Sequence, residues 1–170
     1  MKRSTGRILT THVGSLIRPP QLLKFIAAKQ TGQAYDEHAY AECLRASVAE
    51  VVGRQAEAGL DVPSDGEFGK SISWSQYALE RLSGFERRPA RPGTNPFLRG
   101  ADRTRFADFY AELDAREMPA TVTESICVGP IAYTGEAELQ RDIDNFRAAL
   151  KAVKVEEAFL PVAADRKSVV

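Results

Sequence analysis

Polar residues able to bind a ligand follow two short apolar stretches of this chain. The first stretch, ILTTHVGSLIRPP, spans residues 8–20 and contains His12, Gly14 and Ser15 ahead of a proline turn. A serine hydroxyl and the bare backbone N–H groups beside a glycine can hold a carboxylate or another polar ligand. A turn that simply needs small residues is the plainer interpretation of the Gly14–Ser15 step. His12 can act as a ligand or a base, but taken alone a structural role is favoured.

The second stretch, LDVPSDGE, ends with two carboxylates around a glycine. Asp65 and Glu67 flank Gly66 just past an expected strand end. Two carboxylates placed in this way can hold a substrate ammonium group or act as acid and base. A solvated turn explains the same spacing equally well. The residues alone therefore predict a site for a polar small molecule and do not specify a reaction.

Hydrophobic periodicity predicts alternating strands and helices. Helices are expected from Pro19–Pro20, from the N-cap Asp36, and over residues 74–82, 104–116 and 135–153. Strands are expected at residues 7–11, in LDVPSDGE, in a buried ATVTESICVGP and in EEAFLPVAA, with a loop or an inserted segment over residues 85–95. This order predicts an α/β fold with parallel strands joined by helical crossovers. The ends of such strands meet at one mouth, as in a (β/α)₈ barrel.

Composition and charge exclude several classes of protein. The 170 residues are 44% hydrophobic and carry 23 basic and 23 acidic side chains, so a nucleic-acid or anionic-membrane partner has no electrostatic basis. The sequence shows no apolar run long enough for a bilayer and no secretory signal. Two cysteines, Cys43 and Cys127, do not make a disulfide framework. We expect a cytoplasmic protein.

Several stretches taken together carry a family resemblance. They are TTHVGSLIRPPQLL, RQAEAGLDVPSDGEFGKSISW, RLSGFE, VGPIAYTGEAELQRDIDNFRAAL and VEEAFLPVAA. In combination they resemble the amino-terminal part of the cobalamin-independent methionine synthase family, and more narrowly its single-barrel branch, which is related in fold to uroporphyrinogen decarboxylase. The resemblance covers residues 7–164 and implies an incomplete (β/α)₈ TIM barrel of about the first four strand–helix units.

The resemblance also implies an activity for the full-length parent protein. That activity is zinc-dependent transfer of a methyl group from a methyl-folate, of the 5-methyltetrahydropteroyltri-glutamate type, to homocysteine or a related thiol in methionine biosynthesis. Zinc would hold the thiol as a nucleophilic thiolate, and its ligands are expected on later strands rather than in this chain. The alternatives are an inactive fragment that at most binds an amino-acid thiol, an alkyl-coenzyme M type thiol transferase and a uroporphyrinogen decarboxylase-like enzyme.

The same resemblance implies roles for individual residues. Gly14 and Ser15 match the step that contacts the amino-acid thiol, and Glu67 matches the carboxylate that pairs with its ammonium group. Asp65 and His12 are expected in the same substrate site. His12 stands where the methionine synthases proper usually carry another residue type, which leaves the accepted thiol open. The resemblance implies no catalytic residue in this chain.

Residues 1–164 are therefore expected to be part of one barrel domain, while the last six residues, DRKSVV, depart from the family pattern. One hypothesis is that residues 165–170 are an artefact of sequencing or assembly. An incomplete barrel leaves an edge of the fourth strand unpaired and the barrel-facing apolar side chains uncovered. We therefore expect aggregation, or dimerisation through the exposed edges.

Overall fold

The structure is a computed structural model that describes residues 2–70, 74–89, 100–117 and 123–162. The chain divides into two units, the first made of Met1–Arg81 with Gly135–Val170 and the second of Leu82–Thr134. Helices and strands occur together, so the chain is α/β as predicted. No helix in these described ranges is both long and apolar enough to cross a membrane. The predicted break after residue 164 lies outside the described residues.

The first two helices begin and end where the sequence predicts, whereas the helices expected over residues 74–82 and 135–153 are shorter than predicted. Pro20 is the first residue of α1, and Gly32 ends that helix with a φ of 68°, the left-handed conformation that glycine adopts readily. The Asp36 side chain accepts hydrogen bonds from the N–H groups of His38 and Ala39, which caps α2. The elements, in chain order, are α1 (Pro20–Thr31), α2 (Glu37–Glu57), α3 (Trp74–Leu79), β1 (Phe85–Pro89), α4 (Ala101–Arg105), α5 (Ala107–Glu117), β2 (Thr123–Cys127) and α6 (Glu136–Leu150).

One apolar cluster joins α1, α2 and α6 in the first unit. Leu22 from α1, Leu44 and Val52 from α2, and Phe146 from α6 are buried together, and Phe68 from a turn completes the cluster. Residues at helical spacing on α2 share one face, which is why that face packs inward. Burying one such side chain stabilises the fold by about 1.5–3 kcal/mol. This cluster is the support on which the extended segments rest.

Three extended segments lie side by side in the first unit and run in the same direction. They are the first segment (residues 8–12), the second segment (residues 60–64) and the third segment (residues 156–160). Thr11 and Val62 form a parallel bridge between the first and second segments. The second segment also accepts hydrogen bonds from the N–H groups of Glu156 and Phe159, at 2.9 and 3.3 Å. The second segment therefore lies between the other two.

The predicted third strand of the barrel is not part of this parallel set. β2 pairs antiparallel with β1 in the second unit, from Phe85 opposite Cys127 to Pro89 opposite Thr123. The prediction of a buried parallel strand in ATVTESICVGP is therefore wrong, and residues 85–89 form a strand rather than a loop, one of the two interpretations of that stretch; residues 90–95 lie outside the described residues. Branched residues favour a strand but do not specify its partner. Of the four or so predicted parallel strands, the described chain has three as extended segments, between which the Thr11–Val62 contact is the one β-bridge.

The second unit contains the antiparallel β1–β2 pair and two short helices. A single helix was expected over residues 104–116, but Phe106 interrupts it with φ −120° and ψ 45°, so α4 and α5 are separate. Gly84, just before β1, has a φ of 82°. A Cβ at this position would lie 2.6 Å from the carbonyl oxygens of Gly129 and Pro130. The start of β1 therefore requires glycine at position 84 for both its backbone angle and its lack of a side chain.

Asp61 joins the first segment to the second through its side chain. The Arg7 guanidinium donates from Nη1 to Oδ2 at 2.7 Å and from Nη2 to Oδ1 at 2.5 Å. The backbone N–H of Thr10 donates to Oδ2 at 2.8 Å. These hydrogen bonds, first from Arg7 and then from Thr10, hold the pKa of Asp61 far below its usual value. The pairing of the two segments therefore depends on an ionised Asp61.

We predict that Asp61→Asn lowers the free energy of unfolding at pH 7. The variant should also lose less of that free energy than the wild type as the pH falls. A carboxyl with a lowered pKa in the folded state stabilises the fold above its ordinary pKa of about 3.9, and this contribution is lost as the pH falls. Urea unfolding between about pH 7 and pH 2 measures the effect. The control is Asp144→Asn, an exposed carboxylate on α6. Equal pH slopes for the two variants would contradict the prediction.

Candidate functional site

A buried amide on α2 fixes the point where the second segment ends. The Nε2 of Gln55 donates to the carbonyl oxygen of Ser64 at 2.8 Å, and the N–H of Ser64 donates to the Oε1 of Gln55 at 3.0 Å. Gln55 is 4% exposed and Ser64 is fully buried. Buried backbone groups need such partners, because an unpaired one costs about 1–3 kcal/mol. The residues that follow Ser64 therefore start from a fixed position.

The chain then makes a left-handed turn at Gly66 and Glu67. Their φ angles are 67° and 60°, and Glu67 is the one non-glycine residue with positive φ among the described residues. Glycine suits position 66 doubly, because a Cβ there would lie 3.1–3.2 Å from Phe68 and Val51. A side-chain-bearing residue in this conformation costs about 1–2 kcal/mol. Such conformations are concentrated at functional sites, where the surrounding structure holds them.

Residues just past the first segment hold this turn in place. The N–H of Leu16 donates to the carbonyl oxygen of Gly66 at 3.1 Å. Arg18 donates from Nη2 to the carbonyl oxygens of Glu67 and Lys70, at 2.8 and 3.4 Å. A guanidinium presents several N–H donors in a rigid fork, which suits it to two carbonyls at once. The turn is thus bound to the same stretch that contains Ser15.

Ser15 and Glu67 meet at the open face of this turn. The Ser15 hydroxyl donates to Oε2 of Glu67 at 2.5 Å, and the Lys70 ammonium donates to Oε1 at 3.1 Å. Burial opposes ionisation of Glu67, but hydrogen bonds from Ser15 and Lys70 and the positive charge of Lys70 outweigh it, so the pKa of Glu67 lies below its usual value. Ser15 is exposed and the Glu67 side chain is 22% exposed. An ionised carboxylate beside a hydroxyl is therefore open to solvent.

The other predicted site residues differ in their surroundings. Asp65 is buried, its Oδ1 accepts the N–H of Glu67 at 3.0 Å, and burial raises its pKa. His12 is half-buried, and its Nε2 has no hydrogen-bond partner among the described residues. Gly14 has a φ of 103° with open space around a Cβ position, so glycine is needed there for its backbone angle. Ser15, Asp65 and Glu67 lie together, and a substrate-binding role for each of these residues stays a prediction.

Two residues of the site were missed in the sequence, namely Arg18 and Lys70. Both hold Glu67, through its backbone carbonyl and its carboxylate respectively. The stretch GEFGK offered one signal, because a lysine three residues after a glutamate can reach back to it across a turn. Arg18 gave no local signal, since its partners lie about fifty residues away in sequence.

The described residues do not form a zinc site. No group of three or more histidine, cysteine, aspartate and glutamate side chains in the described ranges could hold a metal ion. Cys43 packs against the apolar cluster of the first unit, and Cys127 is an exposed residue of β2. The donor set that zinc prefers, with thiolate and imidazole ligands converging on one point, is therefore not provided by these side chains.

We predict that Glu67→Gly yields a more stable protein than Glu67→Ala, by about 1 kcal/mol. Both variants lose the carboxylate, but only alanine retains the cost of a left-handed backbone. Urea unfolding measures the difference. The matched control is Glu50 within α2, where glycine should be about 1 kcal/mol less stable than alanine. The same order at positions 67 and 50 would show that the turn is not strained.

The chain is similar to curated methionine synthases from three archaea. It is 29% identical over 151 residues to the methionine synthase of Sulfolobus acidocaldarius, which covers 79% of this chain and 43% of the relative. Methionine synthases of Pyrococcus furiosus and Thermococcus kodakarensis are each 30% identical over 77 residues, which covers 45% of this chain and 22% of each relative. The chain thus spans less than half the length of the curated relatives it matches.

Two further comparisons do not assign the chain to a family. No family model matches the chain. A solved structure of a B12-independent methionine synthase from Shewanella sp. W3-18-1, in complex with selenomethionine, matches with a TM-score of 0.49 and 13% identity, covering 94% of this chain and 43% of that chain. The archaeal relatives confirm the resemblance to methionine synthases that the motifs indicated, and the chain is similar to these proteins over part of their length.

Proposed function

We propose that the chain is part of an S-methyltransferase of the methionine synthase class, and that Ser15 and Glu67 bind the amino-acid end of its thiol substrate. The observation that carries the proposal is the 2.5 Å contact between the two side chains, which belong to stretches about fifty residues apart. The pKa of Glu67 lies below its usual value, so the carboxylate is charged at neutral pH. An ionised carboxylate on an open face is the natural partner of a substrate ammonium group.

In this proposal a ligand replaces the contact between Ser15 and Glu67. The ligand ammonium donates to Oε2 of Glu67, because Oε1 already accepts from Lys70. The Ser15 hydroxyl is then free to donate to the ligand carboxylate, and the backbone beside Gly14 is accessible since no atom lies within 4 Å of a Cβ position there. Holding both charged groups of an amino acid fixes the direction of its thiol, which is the positioning that a transfer reaction needs.

Zinc and a methyl-folate enter the proposal through the family alone. Zinc supplies an activated thiolate in such enzymes, but the described residues provide no zinc ligand set. The part of the reaction assigned to this chain is therefore binding and orientation. The incomplete barrel with a boundary at residue 164 belongs to the same proposal, supported by three parallel segments and by the partial coverage of the relatives.

Binding of an amino-acid thiol without catalysis is the second candidate function. It is favoured by one observation, the lack of a metal-binding group among the described residues. The two candidates share the Ser15 and Glu67 subsite and differ in whether methyl transfer follows. An alkyl-coenzyme M type transferase would instead need a subsite for a sulfonate, and a ligand series separates it from both.

We predict that the chain binds L-homocysteine more tightly than 4-mercaptobutanoate, which lacks the amino group. Glu67→Gln should weaken L-homocysteine binding roughly tenfold or more, because hydrogen bonds between charged groups contribute about 1.5–3 kcal/mol. Titration calorimetry under reducing conditions measures these affinities. Glu50→Gln, which changes an exposed carboxylate on α2, is the matched control.

Other outcomes of this titration have definite meanings. Equal affinities for L-homocysteine and 4-mercaptobutanoate would show that the ammonium group is not recognised. Preference for 2-mercaptoethanesulfonate would favour the coenzyme M type of transferase. An unchanged affinity in Glu67→Gln would contradict the proposed subsite directly.

Self-association through the edge of the parallel segments is proposed on the exposure of apolar side chains there. Ile8 in the first segment is 83% exposed, and Val13 and Ile17 just beyond it are 74% and 95% exposed. Sedimentation velocity should show dimers or larger species that increase with concentration, and Ile8→Lys should reduce them. Ile131→Lys in the second unit is the control for loss of an exposed apolar residue. A single monomeric species at all concentrations would refute the proposal.

A further inference from the structure

The ammonium group of Lys70 is buried between the Glu67 carboxylate and the backbone at Pro161. The Lys70 side chain is 8% exposed. Its Nζ donates to Oε1 of Glu67 at 3.1 Å and to the carbonyl oxygen of Pro161 at 2.5 Å. The Tyr77 ring, itself buried, lies 5.5 Å from Nζ. A buried ammonium needs such partners, because an unpaired charge away from water is strongly unfavourable.

We propose that Lys70 is a positioning residue for Glu67, which it fixes to the end of the third segment so that one carboxylate oxygen faces the ligand. The inference rests on the proposed role of Glu67 as the acceptor of a ligand ammonium. Lys70 does not touch the ligand in this arrangement. It acts on the ligand through Glu67.

The two oxygens of Glu67 have different environments, and Lys70 creates the difference. Oε1 accepts from the buried ammonium, whereas Oε2 accepts from the hydroxyl of the exposed Ser15. Without Lys70 the glutamate side chain could rotate among several conformers, and ordering it on binding would cost affinity. With Lys70 in place Oε2 stays at the open face. A ligand ammonium therefore meets an acceptor that is already oriented.

Lys70 also connects Glu67 to the third segment. Pro161 directly follows that segment, and its carbonyl oxygen is the second acceptor of the ammonium. Ser15 connects the same carboxylate to the stretch that follows the first segment. The carboxyl ends of all three parallel segments are thus joined through one ion pair. Glu67 reaches its binding geometry only when the third segment is in place beside the second.

A purely structural ion pair would make a different prediction. Breaking a buried pair lowers stability whether or not the pair orients a ligand-binding group, so the melting temperature does not separate the two roles. The titration of Glu67 shows whether the ion pair exists in solution, because loss of the lysine charge raises the pKa of Glu67 in either case. The affinity for a ligand separates the two roles, because a purely structural pair leaves that affinity unchanged in the fraction of protein that stays folded.

The test compares Lys70→Met, Lys70→Arg and the control Lys24→Met, which changes an exposed lysine on α1. Carbon-13 NMR of the chain labelled at glutamate carboxyls follows the titration of Glu67, whose signal is assigned by its loss in Glu67→Gln. We expect the pKa of Glu67 to rise in Lys70→Met, because the positive charge that favours the ionised carboxylate is lost. Lys70→Arg should restore part of the shift, and Lys24→Met should match the wild type.

An unchanged Glu67 titration in folded Lys70→Met would overturn the proposal, as would an equal shift in Lys24→Met. If Lys70→Met does not fold, Lys70→Gln replaces it, because its amide can still donate to Pro161 while the charge is lost. Where L-homocysteine binds, its affinity should fall about tenfold in the neutral variants and recover partly in Lys70→Arg, and an unchanged affinity in folded Lys70→Met would overturn the positioning role. Where it does not bind the wild type, the proposed function fails, while the titration still shows whether Lys70 holds Glu67.

Discussion

The left-handed turn at Gly66 and Glu67 is the constraint on which the candidate site depends. An ordinary backbone at these positions would direct the chain elsewhere and separate the carboxylate from Ser15. The turn persists because several contacts act on it at once, with backbone acceptors bound by Arg18 and Leu16. Strain of this kind is tolerated when the surrounding structure over-determines the conformation. The geometry of the site is therefore a property of the whole first unit rather than of one loop.

In the first unit, one set of residues stabilises the fold and a different set forms the candidate site. Apolar residues of α1, α2 and α6 form the cluster that gives stability, while polar residues past the ends of the segments form the site. This division is common in α/β proteins, where a rigid scaffold presents variable ends of strands. The ionised Asp61 stabilises the pairing of the first and second segments, whereas the ionised Glu67 is part of the candidate site. Both carboxylates accept hydrogen bonds from side chains within residues 7–18. That short stretch thus holds the second segment at two different points.

Local signals in the sequence predicted much of this arrangement. The features that could not be predicted are those that depend on contacts between residues far apart in the sequence. Caps and prolines mark helix ends within a few residues, so α1 and α2 were predictable. Small and polar residues after expected strands placed Ser15 and Glu67 together. The pairing of β2 was not predictable, because strand propensity says nothing about the partner strand. The role of Lys70 was hidden for a similar reason, since its second acceptor, Pro161, is distant in sequence.

The bond between Gln55 and Ser64 has a consequence for the shape of the chain. Along one edge a primary amide presents a donor and an acceptor side by side, as a peptide unit does, and its second N–H remains for another acceptor, here the carbonyl oxygen of Val51. By satisfying the backbone N–H and C=O of Ser64, the Gln55 side chain takes the place of the hydrogen bonds that a neighbouring strand would make. The chain at that position needs no further strand partner and is free to bend out of the sheet direction. A helix glutamine thereby lets the backbone change course at a buried point without leaving an amide group unpaired.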